Sequence, residues 1–372
     1  MRLDRLFYRS LSAALLATFQ GGAASGQRVI RIPDVPACDC EIQIRPYVSI
    51  SDSDGRAGLA EPLRMSRTYD GRYLVVPTID QGTLLLFDST GTYLRQVGRK
   101  GRGPSEYTAI LGMDAGRGDS TYILDTGNAR ITVLDPELRP VRSIIMPERG
   151  GQFAVLADQS LLILSAIASR STQPTDRLKR MDASGRLIGS FMPQPPIERS
   201  TTEADARRHI CVTPDGTIGA AHSNDYAVEI WNASGQHLRT LVREAAWFPQ
   251  GQQAGPPPSP RTRPPPRLEA CWFDEGGRLW TLSLVADERW LEAVTSVRPL
   301  GRPTAGVPPE AAARYWDSVV EVTDAESGIL LASTRVDPRV AFFLDGGFAA
   351  SYRQDQDGHP YIDIWRLELV RH

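Results

Sequence analysis

The sequence offers few side chains for nucleophilic or proton-transfer chemistry. Its basic residues are almost all arginines, because only Lys100 and Lys179 are lysines, so a Schiff-base lysine has few candidates. The sequence contains no G-x-S-x-G nucleophile elbow, no phosphate-binding loop ending in Gly-Lys-Ser/Thr and no H-E-x-x-H motif. The usual signatures of hydrolases, nucleotide-binding proteins and metallopeptidases are therefore missing, and no catalytic residue is assigned.

Metal-assisted chemistry would need side chains that converge from distant parts of the chain. Oxygen ligands suit calcium, and the candidates are Asp80, Asp125, Asn128, Asn224 and Asp225. No acidic set recurs in a way that forces these groups together.

Zinc chemistry would depend on five histidines, of which two flank one predicted hairpin. His209 opens a strand and His222 follows the next one, so the two side chains could approach each other. A pair of histidines alone does not make a zinc site. The other three are His237, His359 and His372.

The elements that position these side chains repeat along the chain. One sequence pattern recurs. It consists of an Asp-Gly type turn, a run of β-forming residues, a polar turn, a second such run that ends in Asp or Asn, and then Gly and a third run. The residues that end the second runs, Asp88, Asp135, Asp182 and Asn232, are 47, 47 and 50 residues apart. Asp324 follows after 92 residues, a step that contains two insertions. A short apolar run precedes most units, so each unit has four short strands, the pattern of a β-propeller blade.

Six such units predict an all-β fold, a single six-bladed β-propeller of four-stranded antiparallel blades over residues 27–372. The last unit has three strands, and a strand at about residues 41–50 is expected to complete it, which closes the ring and removes an exposed edge. A pair of β-sandwiches would explain the alternation but not the constant period. The predicted blades span about residues 62–97, 109–145, 152–191, 208–242, 268–334 and 339–369.

The second unit resembles the NHL-type repeat, in which a strand ends in Asp, a Gly-Asn turn follows and an Arg-Ile pair opens the next strand. The segment Val97 to Tyr107 is similar to the glycine-rich linker of bacterial secreted six-bladed propellers of the NHL-like group. This resemblance implies the fold and export, but no single chemistry, since such propellers include binding scaffolds and several unrelated enzymes. For Asp125 and Asn128 it favours a role in capping the turn. The matching residues are Asp125, Gly127, Asn128, Arg130 and Ile131.

The first 26 residues are typical of an export signal. Arg2, Arg5 and Arg9 precede a short apolar stretch, and the small residues Ala24-Ser25-Gly26 give a plausible cleavage point. We therefore expect an extracytoplasmic protein, periplasmic or secreted. No later apolar run is long enough to span a membrane.

Four cysteines allow three disulfide connectivities. Cys211 and Cys271 fall in the innermost strands of neighbouring units at similar heights, so we predict their proximity and a candidate disulfide. Cys38 and Cys40 are so close in sequence that a bridge between them is not the first choice. A C-x-C pair with two distant cysteines also lacks the C-x₂-C spacing of structural zinc sites.

Three long insertions fall on one predicted face of the ring, which we call the loop-rich face. They cover about residues 166–176, 243–267 and 286–316. Long loops on one rim commonly carry binding, although they could also be tolerated surface insertions. The proline-rich loop could bind a partner or act as a stiff spacer. Trp290 and Trp316 flank the third loop, where they could line a groove or fix the loop to the blade.

Basic side chains on this face suggest an acidic ligand. Arg99, Lys100 and Arg102 are clustered in the first inter-blade link, and Arg261, Arg263 and Arg267 belong to the proline-rich link between the fourth and fifth units. The net charge of the loops on this face is nevertheless only about +2, so we expect weak electrostatic steering of an acidic ligand. The whole chain has 42 basic and 44 acidic residues, a net charge of −2 that argues against a nucleic-acid binder.

These observations predict an exported binding or scaffold module for a protein or carbohydrate-like ligand on the loop-rich face. We expect a monomer without a cofactor, a nucleic-acid partner or a membrane span. The alternative is a metal-dependent lactonase or lyase with Ca²⁺ or Zn²⁺ at the mouth of the axial channel. A third hypothesis is a structural repeat in a larger envelope assembly. The candidate ligand-binding residues are Arg99, Lys100, Arg102, Asp125, Asn128, Arg130, His222, Asn224, Asp225, Trp290 and Trp316.

Overall fold

The computed structural model describes nine stretches of the chain, with short gaps between them. The predicted export signal lies outside the described residues, as do the middle parts of the three long loops. No helix in the described stretches is long and apolar enough to cross a membrane. The described residues are 28–52, 55–115, 120–146, 150–165, 175–194, 207–250, 262–296, 314–337 and 339–372.

Two strands come before the first blade, β1 (Val29–Ile32) and β2 (Cys40–Ser51). The first blade consists of β3 (Pro62–Arg67), β4 (Tyr73–Pro77), β5 (Leu85–Phe87) and β6 (Tyr93–Gln96). A short parallel pair follows, β7 (Arg99–Lys100) and β8 (Glu106–Tyr107). The second blade consists of β9 (Ile110–Ala115), β10 (Thr121–Asp125), β11 (Arg130–Leu134) and β12 (Pro140–Ile145).

The third and fourth blades repeat the same four-stranded order. The third consists of β13 (Gly150–Val155), β14 (Leu161–Ser165), β15 (Thr175–Met181) and β16 (Leu187–Gln194). The fourth consists of β17 (Arg208–Val212), β18 (Ile218–His222), β19 (Ala227–Trp231) and β20 (His237–Arg243).

The fifth blade contains a short helix between its second and third strands. It consists of β21 (Arg267–Phe273), β22 (Arg278–Ala286), α1 (Trp290–Ser296), β23 (Trp316–Asp324) and β24 (Leu330–Val336). The sixth consists of β25 (Val340–Leu344), β26 (Phe348–Gln354) and β27 (Pro360–Arg371), with β2 as its outer strand.

The predicted closure of the ring is confirmed. Strand β2 pairs antiparallel with β27 and completes the sixth blade, and the first strands of all six blades contact one another in sequence, with β25 returning to β3. One element was not predicted: β1 pairs in parallel with β20 and adds a fifth strand to the fourth blade. Both N-terminal strands therefore cover outer edges that would otherwise be exposed.

The apolar core lies at the six junctions between neighbouring blades. Alternate residues of one strand face opposite neighbours, so β4 sends Tyr73 and Val75 into the cluster shared with the sixth blade, and Leu74 and Val76 into the cluster shared with the second. This arrangement explains why β4 is buried along its whole length although successive side chains point to opposite faces.

Asp-Gly type turns join the strands as the repeat predicts. In the first blade, Asp88 Oδ1 accepts the N–H groups of Thr90 and Thr92, each at 2.9 Å. Gly91 in the same turn has a φ of 87°, which favours glycine. The same arrangement recurs around Asp182 and Asn232, where the side-chain oxygen accepts the N–H groups two and four residues later.

Side chains also join the blades along the inner edge of the ring. The first strand of each blade has no neighbouring strand on the side that faces the axis. Arg64 Nε donates to Leu111 O at 2.6 Å, Val155 N donates to Asp114 Oδ2 at 2.6 Å, and Ile210 N donates to Gln152 Oε1 at 3.0 Å. Each bond satisfies a backbone group that would otherwise face the axis unpaired.

The remaining junctions use a disulfide and polar contacts. The Cys211 and Cys271 sulfurs are bonded, with Cα atoms 5.7 Å apart, and join the fourth blade to the fifth. Val340 N donates to Ser318 Oγ at 2.7 Å between the fifth and sixth blades. Arg339 pairs with Glu61 at 3.1 Å between the sixth and first.

Cys38 and Cys40 form a second disulfide, with Cα atoms 5.2 Å apart. The sequence analysis disfavoured this pairing, and the structure corrects it. Cys38 lies in the irregular segment before β2, and Cys40 is the first residue of β2. The other two cysteines are held in the inner strands of the fourth and fifth blades. Cys38 and Cys40 are thus left to pair with each other.

Candidate functional site

A cavity of about 430 Å³ lies on the axis of the ring and is lined by residues from all six inner strands. We call it the axial cavity. It extends to four turns that join first and second strands, at Ala157, Thr213-Pro214, Asp274-Glu275 and Asp345-Gly346. These turns lie on the face opposite the loop-rich face. None of the eleven predicted ligand-binding residues lines the axial cavity.

Aromatic side chains form much of the wall of the axial cavity. Phe153, Trp272 and Phe343 all line it. Trp272 packs against Phe343 at 6.4 Å and against Trp280 at 5.4 Å between ring centroids, so its ring is held by neighbours on two sides. The Cys211–Cys271 disulfide is also part of the wall. The wall therefore combines aromatic rings with polar groups, as small-molecule sites commonly do.

Four acidic residues line the axial cavity. Asp114 lies in the inner strand β9 and Asp345 follows β25, whereas Asp274 and Glu275 lie in the turn after β21 at the rim. Burial raises the pKa of Asp114 to about 7, and the nearby Asp345 carboxylate adds to the increase, while the bond from Val155 N opposes it. The surrounding protein also raises the pKa of Asp345, and Arg67 opposes that increase. The pair can therefore accept hydrogen bonds or attract a positive charge near neutral pH.

Asp114→Asn is expected to remove a pH-dependent loss of stability. Because the folded-state pKa of Asp114 is raised from 3.8 to about 7, its stabilising contribution is present below about pH 4 and is lost as the pH rises to about 7. Full conversion of that shift would give about 4 kcal/mol, but water in the open cavity screens the charge, so we expect about 1–2 kcal/mol. Denaturation in guanidinium at about pH 5 and about pH 8 measures the difference.

The asparagine can still accept the Val155 N–H, so the change removes the charge and keeps the bond. Asp357→Asn, in an exposed turn of the sixth blade, is the control and should follow the wild-type pH profile. Parallel profiles for wild type and Asp114→Asn would show that Asp114 does not titrate in this range.

The rim residue Asp274 belongs to a turn rather than to a free acidic site. Its carboxylate accepts the N–H groups of Gly276 and Arg278, each at 3.0 Å, and the Trp280 Nε1–H at 3.0 Å. Arg278 Nε also donates to it at 2.6 Å. Asp114 and Asp345 therefore remain the carboxyl groups best placed to meet a ligand.

The other end of the axis, on the loop-rich side, is rich in arginine. Four guanidinium groups surround Glu269 and His209, and we call this set the arginine-rich end. Burial lowers the pKa of His209 to about 4, and the nearby arginines add to that effect although Glu269 opposes it. Both ring nitrogens are also engaged, with Gln152 at 3.1 Å and Ser223 at 3.0 Å. The arginines are Arg64, Arg207, Arg267 and Arg339.

The pKa of Glu269 is lowered, because the neighbouring positive groups outweigh the opposing effect of its burial. A neutral histidine beside an ionised glutamate leaves this end with an excess of positive charge. The axis therefore carries carboxyl groups towards one face and guanidinium groups towards the other.

Asp125, Asn128 and Arg130 hold the first inter-blade link in place. Asp125 is fully buried and accepts from Thr108 N at 3.2 Å, Ala109 N at 2.9 Å and Asn128 Nδ2 at 2.6 Å. The Arg130 guanidinium donates to the carbonyls of residues 102, 103 and 106. These polar groups are used within the protein, which agrees with the capping role that the repeat resemblance favoured.

The basic cluster of the same link is partly neutralised. Arg99 forms an ion pair with Glu106 at 2.6 Å, and Lys100 lies 3.6 Å from Asp80. Asp80 also accepts from Gly82 N at 3.2 Å and Thr83 Oγ1 at 3.0 Å, so it caps a turn. Arg102 is exposed.

His209 and His222 do not converge. In the register of β17 and β18, His209 faces Ala221 and His222 faces Arg208, so the two side chains leave opposite faces of the blade. The suggested approach is therefore wrong. His222 instead pairs with Glu229 at 2.7 Å. Asn224 and Asp225 lie half-buried in the turn between β18 and β19.

Trp316 fixes the long connection of the fifth blade. It is 8% exposed and packs with Leu284, Ala293 and Tyr315, with Trp290 at the margin of the same cluster. The Arg267 guanidinium lies 4.9 Å from the centre of the Trp316 ring. Of the two alternatives for these tryptophans, the packing favours attachment of the loop over an open groove.

Asp114, Asp345 and Trp272 were not identified from the sequence. The signal was present in the short apolar runs that precede the units, because Asp114 ends one such run and Asp345 follows another. These runs become the innermost strands, and the residues at their ends point to the axis only once the ring has closed.

Comparisons with known proteins agree with the fold described above. The profile of the family DUF5128, described as a 6-bladed beta-propeller, matches residues 62–162. A member of the DUF4221 family from Bacteroides vulgatus superimposes with a TM-score of 0.61 at 9% identity, covering 89% of this chain and 99% of that one. This chain is a six-bladed β-propeller.

Two further solved structures were superimposed on the chain. A Bacteroides fragilis protein thought to be exported superimposes on the propeller with a TM-score of 0.56 at 11% identity, covering 92% of this chain and 99% of that one. A virginiamycin B lyase from Staphylococcus aureus gives a TM-score of 0.45 at 11% identity, covering 89% and 100%. Identities this low show the fold alone, and they support neither a binding nor an enzymatic function in particular. No curated protein matches the chain.

Proposed function

We propose that the propeller is an extracytoplasmic binding module that takes a carbohydrate-like ligand in the axial cavity. The observation that carries this proposal is the cavity itself, with a volume of about 430 Å³, aromatic rings in its wall and the carboxyl groups of Asp114 and Asp345 beside them. Its volume falls within the range of about 300–1,000 Å³ that is typical of small-molecule sites.

The chemistry of the wall favours a sugar ring over a purely apolar ligand. The C–H face of a sugar packs on an aromatic ring such as Trp272, while its hydroxyl or ammonium groups donate to the carboxylates of Asp114 and Asp345. An anionic sugar would instead be repelled by these two groups. We therefore expect amino sugars to bind best and acidic sugars worst.

Isothermal titration calorimetry with glucosamine, glucose and glucuronic acid, and with short oligomers of glucosamine, tests this order. Trp272→Ala is expected to weaken binding of glucosamine and glucose by about tenfold, the effect of about 1.4 kcal/mol of lost stacking. Asp345→Asn is expected to reduce the preference for glucosamine over glucose, because one of the attracting charges is gone.

Matched controls separate the site from general damage. Tyr69→Ala removes an aromatic side chain that is 82% exposed and does not line the axial cavity, so binding should be unchanged. Trp272→Phe keeps a ring in place and should restore most of the affinity lost in Trp272→Ala. Failure of all these sugars to bind, or equal binding by wild type and both cavity variants, would refute the proposal.

The predicted binding of a protein on the loop-rich face remains an alternative for the same fold. It is favoured instead if substitutions at Arg64 and Arg339, at the arginine-rich end, abolish capture of a partner while the cavity variants bind normally. The metal-dependent lactonase or lyase would need ligands on the axis. In the described stretches, two groups of three potential ligands converge, and neither lines the axial cavity.

A further inference from the structure

Three aspartates meet at one end of the fifth blade, on the loop-rich side. Asp287 follows β22, Asp317 lies near the start of β23, and Asp337 follows β24. One carboxylate oxygen from each lies within 4.8 Å of the others. We call this set the aspartate triad. Its residues lie at one end of three successive strands of one blade, so the sheet itself brings them together.

Two members of the triad are buried. Asp287 is 4% exposed and Asp317 is 7% exposed, whereas Asp337 is exposed to solvent. Asp317 Oδ1 is buried and has no hydrogen-bond partner. A buried carboxylate oxygen without a partner costs free energy, and such atoms in folded proteins commonly mark a missing ion or water.

The other Asp317 oxygen explains why Oδ1 remains available. Arg335 Nε donates to Asp317 Oδ2 at 2.7 Å, and the same guanidinium donates to Ala286 O at 3.1 Å. Arg289 lies beside the other two aspartates, 3.6 Å from Asp287 and 4.0 Å from Asp337. Three carboxylates against two half-exposed guanidinium groups leave the site with one excess negative charge.

We propose that Asp287, Asp317 and Asp337 bind a hard divalent cation, for which calcium is the best fit. The ligands are all carboxylate oxygens, which calcium prefers, and no nitrogen or sulfur ligand lies among them. The exposed Asp337 leaves room for the water ligands that complete calcium coordination. The ion would hold together the two ends of the connection between β22 and β23. It would also fix Asp337, the residue after β24, beside them. This inference is independent of the sugar-binding proposal.

The second group of potential ligands, Asp355, Asp357 and His359, lies within one turn of the sixth blade. Asp355 accepts the N–H groups of Asp357 at 3.0 Å and His359 at 2.8 Å. Its carboxylate is therefore satisfied within an exposed turn, and it serves as the control.

Terbium luminescence tests the proposal directly, because Tb³⁺ occupies calcium sites and is excited by nearby tryptophan. Trp316 adjoins Asp317 in sequence, and Trp290 N lies 3.3 Å from the carbonyl of Asp287, so two tryptophans are close to the triad along the chain. We expect sensitised emission from the wild type that calcium displaces with a dissociation constant of about 0.1–1 mM and that magnesium displaces poorly.

Asp317→Asn should reduce the affinity for Tb³⁺ by about tenfold or more, because it removes the charge of a buried ligand. Asp357→Asn, in the control turn, should leave the emission unchanged. Thermal unfolding gives a second readout. About 10 mM calcium should raise the wild-type melting temperature by about 2–5 °C and should not raise that of Asp317→Asn.

The variant is expected to fold, since loss of one carboxylate relieves repulsion in the ion-free triad, and its far-UV circular dichroism should match the wild type. Equal emission from wild type and Asp317→Asn would refute the site. A wild-type melting temperature that does not respond to calcium would refute it as well.

Discussion

Glu321→Ala is expected to lower the free energy of unfolding by about 3 kcal/mol, near the lower end of the range for a broken buried ion pair. Glu321 is 1% exposed and pairs with Arg243, which is 2% exposed. Arg243 Nε donates to Oε2 at 3.2 Å and Nη2 donates to Oε1 at 3.1 Å. The substitution leaves a buried guanidinium without its buried counterion, and the partly exposed Asp34, at 2.9 Å, remains its only ion-pair partner in the described residues.

The effect should be large because the pair joins the fourth blade to the fifth. Tyr226, before β19, also donates its hydroxyl proton to Glu321 Oε2 at 2.7 Å and contacts Thr281 in β22. Burial raises the pKa of Tyr226 well above its usual value, and the Glu321 carboxylate adds to the increase, so the phenol stays protonated and can donate. Equilibrium unfolding in guanidinium measures the loss.

Two further variants calibrate this loss. Tyr226→Phe removes the hydroxyl's hydrogen bonds to Glu321 and Thr281 and keeps the ion pair, so it should cost about 1–2 kcal/mol. Glu326→Ala removes a glutamate from an exposed turn of the same blade, and it should change stability by less than about 0.5 kcal/mol. A loss for Glu321→Ala as small as that for Glu326→Ala would mean that water already reaches the pair.

Removal of the Cys211–Cys271 disulfide is expected to lower the free energy of unfolding by about 2–4 kcal/mol. The two cysteines are 60 residues apart, so the bond closes a long loop and restricts the unfolded chain strongly. It also joins two blades at the wall of the axial cavity. The double variant Cys211→Ala/Cys271→Ala, compared with wild type in guanidinium, gives the value.

The Cys38–Cys40 disulfide provides a matched control. Its cysteines are 2 residues apart, so it restricts the unfolded chain little, and Cys38→Ala/Cys40→Ala should cost less than about 1 kcal/mol. Equal costs for the two double variants would contradict the loop-closure explanation. The 211/271 variant should also weaken binding in the axial cavity more than the 38/40 variant does.

Local chemistry was sufficient to predict the blades. Turn residues such as Asp88 with Gly91 act within a few residues, and the spacing from Asp88 to Asp135 and Asp182 repeats at a nearly constant interval. A constant period with four strands per unit leaves few architectures other than a propeller. The closing role of β2 was predicted by counting strands. The last unit lacked a fourth strand, and the N-terminal segment contained a strand that belonged to no unit.

The candidate site depended on contacts that are distant in sequence. Asp114 and Asp345 are more than two hundred residues apart and belong to the second and sixth blades, so nothing in either local sequence reveals the other. For His209 and His222 the prediction failed in the opposite way. They are close in sequence and were expected to approach each other, yet the pleat of the sheet places them on opposite faces. Proximity along the chain was therefore a poor guide to convergence.

The sequence by itself determined the class of fold, the number of blades and the way the ring closes, because turn chemistry and strand periodicity are local properties that repeat. Only the tertiary structure decided which polar groups face the axis, that Cys38 pairs with Cys40 and where the aspartate triad converges. Those outcomes depend on the register and rotation of six blades around a common axis, and packing between blades, rather than any local pattern, sets both.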